Sequence, residues 1–286
     1  MRTIIISDIT ETPDSIIPYG LNVGKLTETR VDILHYFDPR LIQGKYSSIS
    51  DSQSFSPGEK LSHGEILHRE REITHAQIEK LLSKEASRLN YPLRVNTITE
   101  IEDIETAISL QIKKYDNPMV ITGTTPGSSM VANLQDLLNL ILKIDVRILI
   151  IPPGKRFVKP EKCCLITDLT SETNKKIHTL FSWLSPIATK VYTSAVVNTH
   201  FKSRGPQSIA EWKRALLPYH DKIKSDTTEI FYFNEIALAF ESICEQKSPD
   251  LVVLPNSKDT ELAKYLFAYN NLKKLTEQIS IPVLIY

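Results

Sequence analysis

The sequence predicts an α/β protein of two tandem doubly wound domains, each a five-stranded parallel sheet with helices on both faces. The first observation behind this is a long-period repeat. "IIISDITET" (Ile4 to Thr12) is written again as "CLITDLTSET" (Cys164 to Thr173), and a slide of 160 residues aligns Ile5–Thr10 with Leu165–Thr170 without a gap. At the same offset Ile17 falls on Ile177, Leu21 on Phe181 and Val31 on Val191. The second observation is that both halves close alike. "PMVITG" (Pro118 to Gly123) is similar to "DLVVLP" (Asp250 to Pro255), and "VRILIIP" (Val146 to Pro152) to "IPVLIY" (Ile281 to Tyr286). A repeat this long is a duplicated domain, because solenoid periods are far shorter.

Each half reads β-α-β-α-β-α-β-α-β. Short runs such as "VDILHYF", "KVYTSAVV" and "LVVLP" are rich in β-branched and aromatic residues, as strands are. Helices follow from spacings of three and four. Ile177, Leu180, Phe181, Leu184 and Ile187 share one helical face; so do Ile78, Leu81, Leu82 and Leu89, and Ile236, Phe240, Ile243 and Cys244. Strands that are apolar throughout, joined by helical crossovers, predict a parallel sheet buried on both sides. "PPGKRFVKPEK" (Pro152 to Lys162) divides the halves with three prolines, a glycine and four basic residues. Domain 1 is therefore placed at 1–152, a linker at 153–161 and domain 2 at 162–286. A serine-rich stretch from Gln43 to Gly64 reads as a surface loop.

Charge narrows the function classes. Lysine plus arginine equals aspartate plus glutamate at 34 each, so there is no basic surplus for nucleic acid or an anionic membrane. No apolar run is long enough to span a bilayer and no leader precedes the first strand, so a cytoplasmic location is expected. Cys163 and Cys164 point to opposite faces of a strand and read as buried free thiols.

These features together, a strand ending in Asp and a hydroxyl residue, a late strand ending in Gly-Thr and a closing strand ending in Pro, resemble the universal stress protein family in its tandem form. The resemblance covers nearly the whole chain. It implies a strand order of 3-2-1-4-5 in each domain, with a ligand crevice where that order reverses. It also implies that single-domain members pair through their last strands. That makes an intramolecular pseudo-dimer of the two domains the expected assembly, with "RILII" (Arg147 to Ile151) against "PVLIY" (Pro282 to Tyr286). A homodimer and an unidentified protein partner are further assemblies the resemblance allows.

Family members that bind ATP use a glycine-rich phosphate loop after the fourth strand. Its counterpart here is "GTTPGSS", which nominates Gly123, Gly127, Ser128 and Ser129 with Asp8 as a nucleotide site in domain 1, for ATP or AMP with magnesium. The glycine spacing departs from the family pattern, and "TPGSS" also reads as a turn with a helix cap. Asp168 is the corresponding position in domain 2, whose loop "LPNSKD" has no glycine. Asp8 and Asp168 also read as helix caps. His63, His68 and His75 stand five and seven residues apart, which suits a solvated helix face and not a metal site. No nucleophile motif occurs. The expected function is a non-catalytic stress-response regulator without a certain cofactor. The alternative is a regulator that binds ATP or AMP in domain 1, and an unrecognised hydrolase or transferase comes third.

Overall fold

Strand β1 (Arg2–Ile6) shows how the sheet is built: Ile5 belongs to one apolar cluster, and Ile4 and Ile6 to the other, so one strand feeds both faces. The computed structural model describes residues 2–6, 13–36, 63–90, 94–100, 104–116, 118–124, 146–169, 171–198, 205–221, 223, 228–233, 236–256, 261–266, 268 and 271–286. The remaining strands are β2 (Arg30–Tyr36), β3 (Val95–Glu100), β4 (Met119–Gly123), β5 (Arg147–Ile151), β6 (Lys162–Thr167), β7 (Lys190–Asn198), β8 (Glu229–Phe233), β9 (Leu251–Leu254) and β10 (Val283–Ile285). The helices are α1 (Pro13–Leu26), α2 (His63–Leu89), α3 (Ile104–Lys113), α4 (Ser171–Ile187), α5 (Gly205–Leu216), α6 (Ile236–Lys247), α7 (Glu261–Leu266) and α8 (Asn271–Ile279).

The strands form one ten-stranded sheet in the order β3-β2-β1-β4-β5-β10-β9-β6-β7-β8. The sequence led us to expect two five-stranded sheets; edge pairing of β5 with β10 makes them continuous. That pairing is antiparallel, and every other pairing is parallel. Registers repeat between the halves. Arg2 faces Arg30 and Lys162 faces Lys190; Thr3 faces Met119 and Cys163 faces Leu251. At the seam Leu149 faces Leu284, with Ile150 opposite Val283 on one side and Ile148 opposite Ile285 on the other.

Two helical layers cover the sheet. Residues of α1, α2, α4 and α5, including Ile17, Ile78, Phe181 and Trp212, share one cluster with Ile5, Leu165 and Leu284. Residues of α3, α6, α7 and α8 share the other with Ile4, Ile148 and Ile285. Helix α1 lies close against the sheet: a Cβ on Gly20 would meet Ile5 Cδ1 at 2.4 Å, and one on Gly24 would meet Val31 Cγ2 at 2.5 Å. Between β9 and β10 there are two helices where one was expected. Among the described residues there, Asn271 Nδ2 donates to the carbonyl of Tyr265 at 2.8 Å, joining the end of α7 to the start of α8.

The connecting segment after β5 is held in place. Gly154 adopts φ +68°, a value glycine takes without strain. The Phe157 ring meets Tyr19 edge-on at 4.9 Å. The amides of Glu161 and Lys162 both donate to Asp250 Oδ2, at 3.0 and 2.9 Å. The serine-rich stretch lies outside the described residues up to 62, and its last two residues, His63 and Gly64, open α2. Cys163, Cys164 and Cys244 are free thiols.

Candidate functional site

Open parallel sheets offer a binding crevice beyond the strand carboxyl ends where the order reverses. In the last five strands that point lies between β6 and β9. Asp168 follows β6 directly and is half-buried. Leu169 behind it adopts φ +60°, a left-handed conformation that costs a non-glycine residue of order 1 kcal/mol or more. The Leu169 amide donates to Thr167 Oγ1 at 3.0 Å, which secures the turn. Asp168 stands three residues ahead of Ser171, where α4 begins.

On the other side, β9 runs into Asn256, which is 3% exposed. Its amide donates to the Tyr286 carbonyl at 2.6 Å, and Lys176 Nζ of α4 donates to its carbonyl at 3.2 Å. The side-chain amide is buried, and neither its nitrogen nor its oxygen has a hydrogen-bond partner among the described residues. The same holds for Asn174 Oδ1 and the Tyr286 hydroxyl. Burial pushes the Tyr286 phenol far above its ordinary value, and the charge of Asp168 pushes it the same way. Buried polar atoms are almost always paired, which sets these four atoms, gathered at one end of the sheet, apart from most of the described core.

In the first five strands, Gly123 is the last residue of β4 and lies opposite Ile151 of β5. Thr124 follows it, 1% exposed, with its hydroxyl unpartnered among the described residues. Asp8, Gly127, Ser128 and Ser129 lie outside the described residues, so of the nominated site only Gly123 and Asp168 are placed. The sequence reading did not select Thr124, Asn174, Lys176 or Asn256 as site residues. The signal available for Asn256 was its place in "LPNSKD", at the end of the strand that matches β4.

Burial pushes the Cys163 thiol well above its ordinary value and that of Cys164 up to about 12, so neither is a thiolate at neutral pH. No cluster of three His, Cys, Asp or Glu residues able to hold a metal occurs among the described residues. His68 and His75 are exposed along α2. No described helix is long and apolar enough to cross a membrane.

The fold has relatives among solved structures. A universal stress protein from Archaeoglobus fulgidus superposes with a TM-score of 0.62 at 8% identity, covering 99% of this chain and 95% of that one. A protein of Pseudomonas aeruginosa UCBPP-PA14, provisionally described as a universal stress protein, gives 0.57 at 11% identity over 100% and 92%. The functionally unknown protein PA1789 of P. aeruginosa PAO1 gives 0.56 at 11% identity over 99% and 91%. No protein-family model matches the sequence, and no curated protein matches it. At these identities the likeness is one of fold, and the chain has the universal-stress-type fold along its whole length.

Proposed function

We propose that this chain is a cytoplasmic regulator of the universal stress type that acts by binding rather than by catalysis, built from two tandem domains (1–152 and 162–286) paired as an intramolecular pseudo-dimer. The observation that carries this reading is the seam. Leu149 and Leu284 occupy matching places in their strands and face one another, and the neighbouring pairs exchange positions around them. An interface in which one patch meets its own copy is the mark of a two-fold dimer, here written into one chain. The repeated registers and the universal stress protein relatives support the same duplication. Deeply buried thiols suit a reducing compartment.

A second reading places ATP or AMP, with magnesium, in the domain 1 crevice on Asp8, Gly123, Gly127, Ser128 and Ser129. The unpartnered Thr124 hydroxyl just past Gly123 favours it. Thermal unfolding with and without millimolar Mg-ATP separates the two. Ligand at about 100 times its dissociation constant adds roughly 2.7 kcal/mol, or about 5–10 °C for domains of this size. A rise that disappears in Gly127→Asp establishes the nucleotide-binding regulator, and an unmoved transition in both proteins leaves the binding-only regulator without a nucleotide. Steady release of phosphate from ATP, lost in Gly127→Asp, would overturn both.

A further inference from the structure

A cavity of about 430 Å³ opens at the seam, at the amino ends of β4 and β5 and the carboxyl end of β10, and it shares Lys176 and Tyr286 with the crevice beside β9. Its floor is the start of β5 (Val146, Arg147) with Tyr286 beyond β10; one wall is the end of α3 (Ile112, Lys113, Tyr115) with Pro118, and the other is Lys176, Thr179 and Leu180 of α4. The volume is that of an ordinary small-molecule site. Three of the lining residues are cationic, Lys113, Arg147 and Lys176, and none of the described lining residues is acidic. Arg147 is only 7% exposed, and desolvation works against its charge. The charges of Asp32 and Asp168 reach the lining residues Tyr115 and Tyr286, although neither acid is among the described lining residues. Arg2 sits 4.4 Å over the Tyr115 ring and holds Asp32 at 3.2 Å.

The chain supplies its own comparison. The offset of 160 residues that relates β1 and α1 to β6 and α4 carries Thr179 to Tyr19, Leu180 to Gly20 and Lys176 to Ile16. The registers of β4 and β9 set a second offset of 132, which carries Lys113 to Glu245 and Pro118 to Asp250. At the seam Arg147 corresponds to Pro282. The offset of 132 also carries Tyr115 to Lys247, so the counterpart place holds two acids and one cation, Glu245, Asp250 and Lys247, where the cavity has Lys113, Pro118 and Tyr115; there Phe157 of the connecting segment rests on Tyr19, and Asp250 accepts from the amides of Glu161 and Lys162. The fold seats an aromatic ring at one of two matching places. At the other, the ring-bearing side chain is replaced by Thr179, and three cations surround the space.

We propose that the seam cavity binds a small organic anion, a phosphate or carboxylate head on an aromatic or branched aliphatic body, bridging α3 and β5 of one half to α4 of the other. The head meets Lys113, Arg147 and Lys176. The body lies against Ile112, Val146, Leu180 and the tyrosine rings, as Phe157 does against Tyr19. This reading is independent of nucleotide binding at Gly127.

Calorimetric titration of the full chain with phenyl phosphate, benzoate and inorganic phosphate tests it. Saturable binding of phenyl phosphate or benzoate is expected, with inorganic phosphate about tenfold weaker or worse because it lacks the body. The stronger of the two organic ligands identifies the head. Lys113→Glu and Lys176→Glu should each weaken binding about tenfold or more, and Thr179→Trp should abolish it by filling the space. Lys113 and Thr179 are exposed, so those variants should keep the thermal transition of the parent. Asp168→Asn, which removes a carboxylate whose charge reaches Tyr286, should not weaken binding and should if anything strengthen it. No saturable heat at millimolar ligand overturns the proposal. So does binding indifferent to Lys113→Glu and Thr179→Trp, or binding lost only in Asp168→Asn or Gly127→Asp. Concentration-dependent dimerisation that Thr179→Trp abolishes would assign the groove to a second copy of the chain and overturn the small anion.

Discussion

Tyr286 ties the end of β10 to the end of β9 through its backbone and leaves a buried hydroxyl without a partner among the described residues. An orphaned buried donor costs about 1–3 kcal/mol, so Tyr286→Phe should leave stability in urea unchanged or raise it by about 1 kcal/mol. A loss of that size would show that the hydroxyl is partnered in solution. The thiols make a pH prediction. Burial raises Cys163 and Cys164, so the folded protein holds both protons above the pH at which the unfolded chain releases them, near 8.5. Their stabilisation is complete below that pH and is lost as pH rises toward about 12 for Cys164. The slope is at most about 1.4 kcal/mol per pH unit for each thiol. The urea midpoint should fall less between pH 8 and pH 10 in Cys164→Ala than in the parent; an equal fall would count against the buried thiol. At this scale the sequence was partly legible. Asp168 was marked by its repeat, whereas Asn174, Asn256 and Tyr286 come from three separate segments, and only folding of α4, β9 and β10 brings their unpartnered atoms to one end of the sheet.

At the scale of elements, α1 is fixed by what it lacks. Gly20 and Gly24 are one turn apart on the face toward β1 and β2, and each stands where a methyl group would overlap a core side chain. Overpacking a dense core costs about 1–3 kcal/mol. Gly20→Ala should therefore lower the denaturation midpoint by that amount despite alanine's better helix propensity, and a stabilised variant would show that Ile5 yields freely. The strands were the most legible part of the chain, because both-face burial forces continuous apolarity on β1, β4, β5, β6, β9 and β10. The helix pair α7 and α8 was less so. Only nine residues of clear periodicity stand between Asn271 and Ile279, and the bond from Asn271 to Tyr265 that joins the two depends on a backbone turn no composition announces. The connecting segment read as a spacer. Its role as the filler of one groove is visible only once Phe157 is found on Tyr19.

At the scale of the whole molecule, the stability of either half depends on an edge that the other covers. An exposed β5 or β10 would present apolar, unpaired backbone and invite association. Pairing them removes both edges at once and leaves β3 and β8, whose described residues are exposed or only half-buried, at the rims. The three cross-strand pairs of the seam are 0–2% exposed, and Ile148 and Ile285 lie in a cluster shared by helices of both halves. A carboxylate there must either lose its hydration or break the seam, at a cost exceptional for a single substitution, about 4 kcal/mol or more. Ile285→Asp is thus expected to abolish the parent's cooperative thermal transition by circular dichroism, or to lower it by about 10 °C or more. Ile285→Val, which trims one methylene, should cost only about 1 kcal/mol. An Ile285→Asp protein that melts with its parent would mean the halves stand without the seam, and the pseudo-dimer would fall with it.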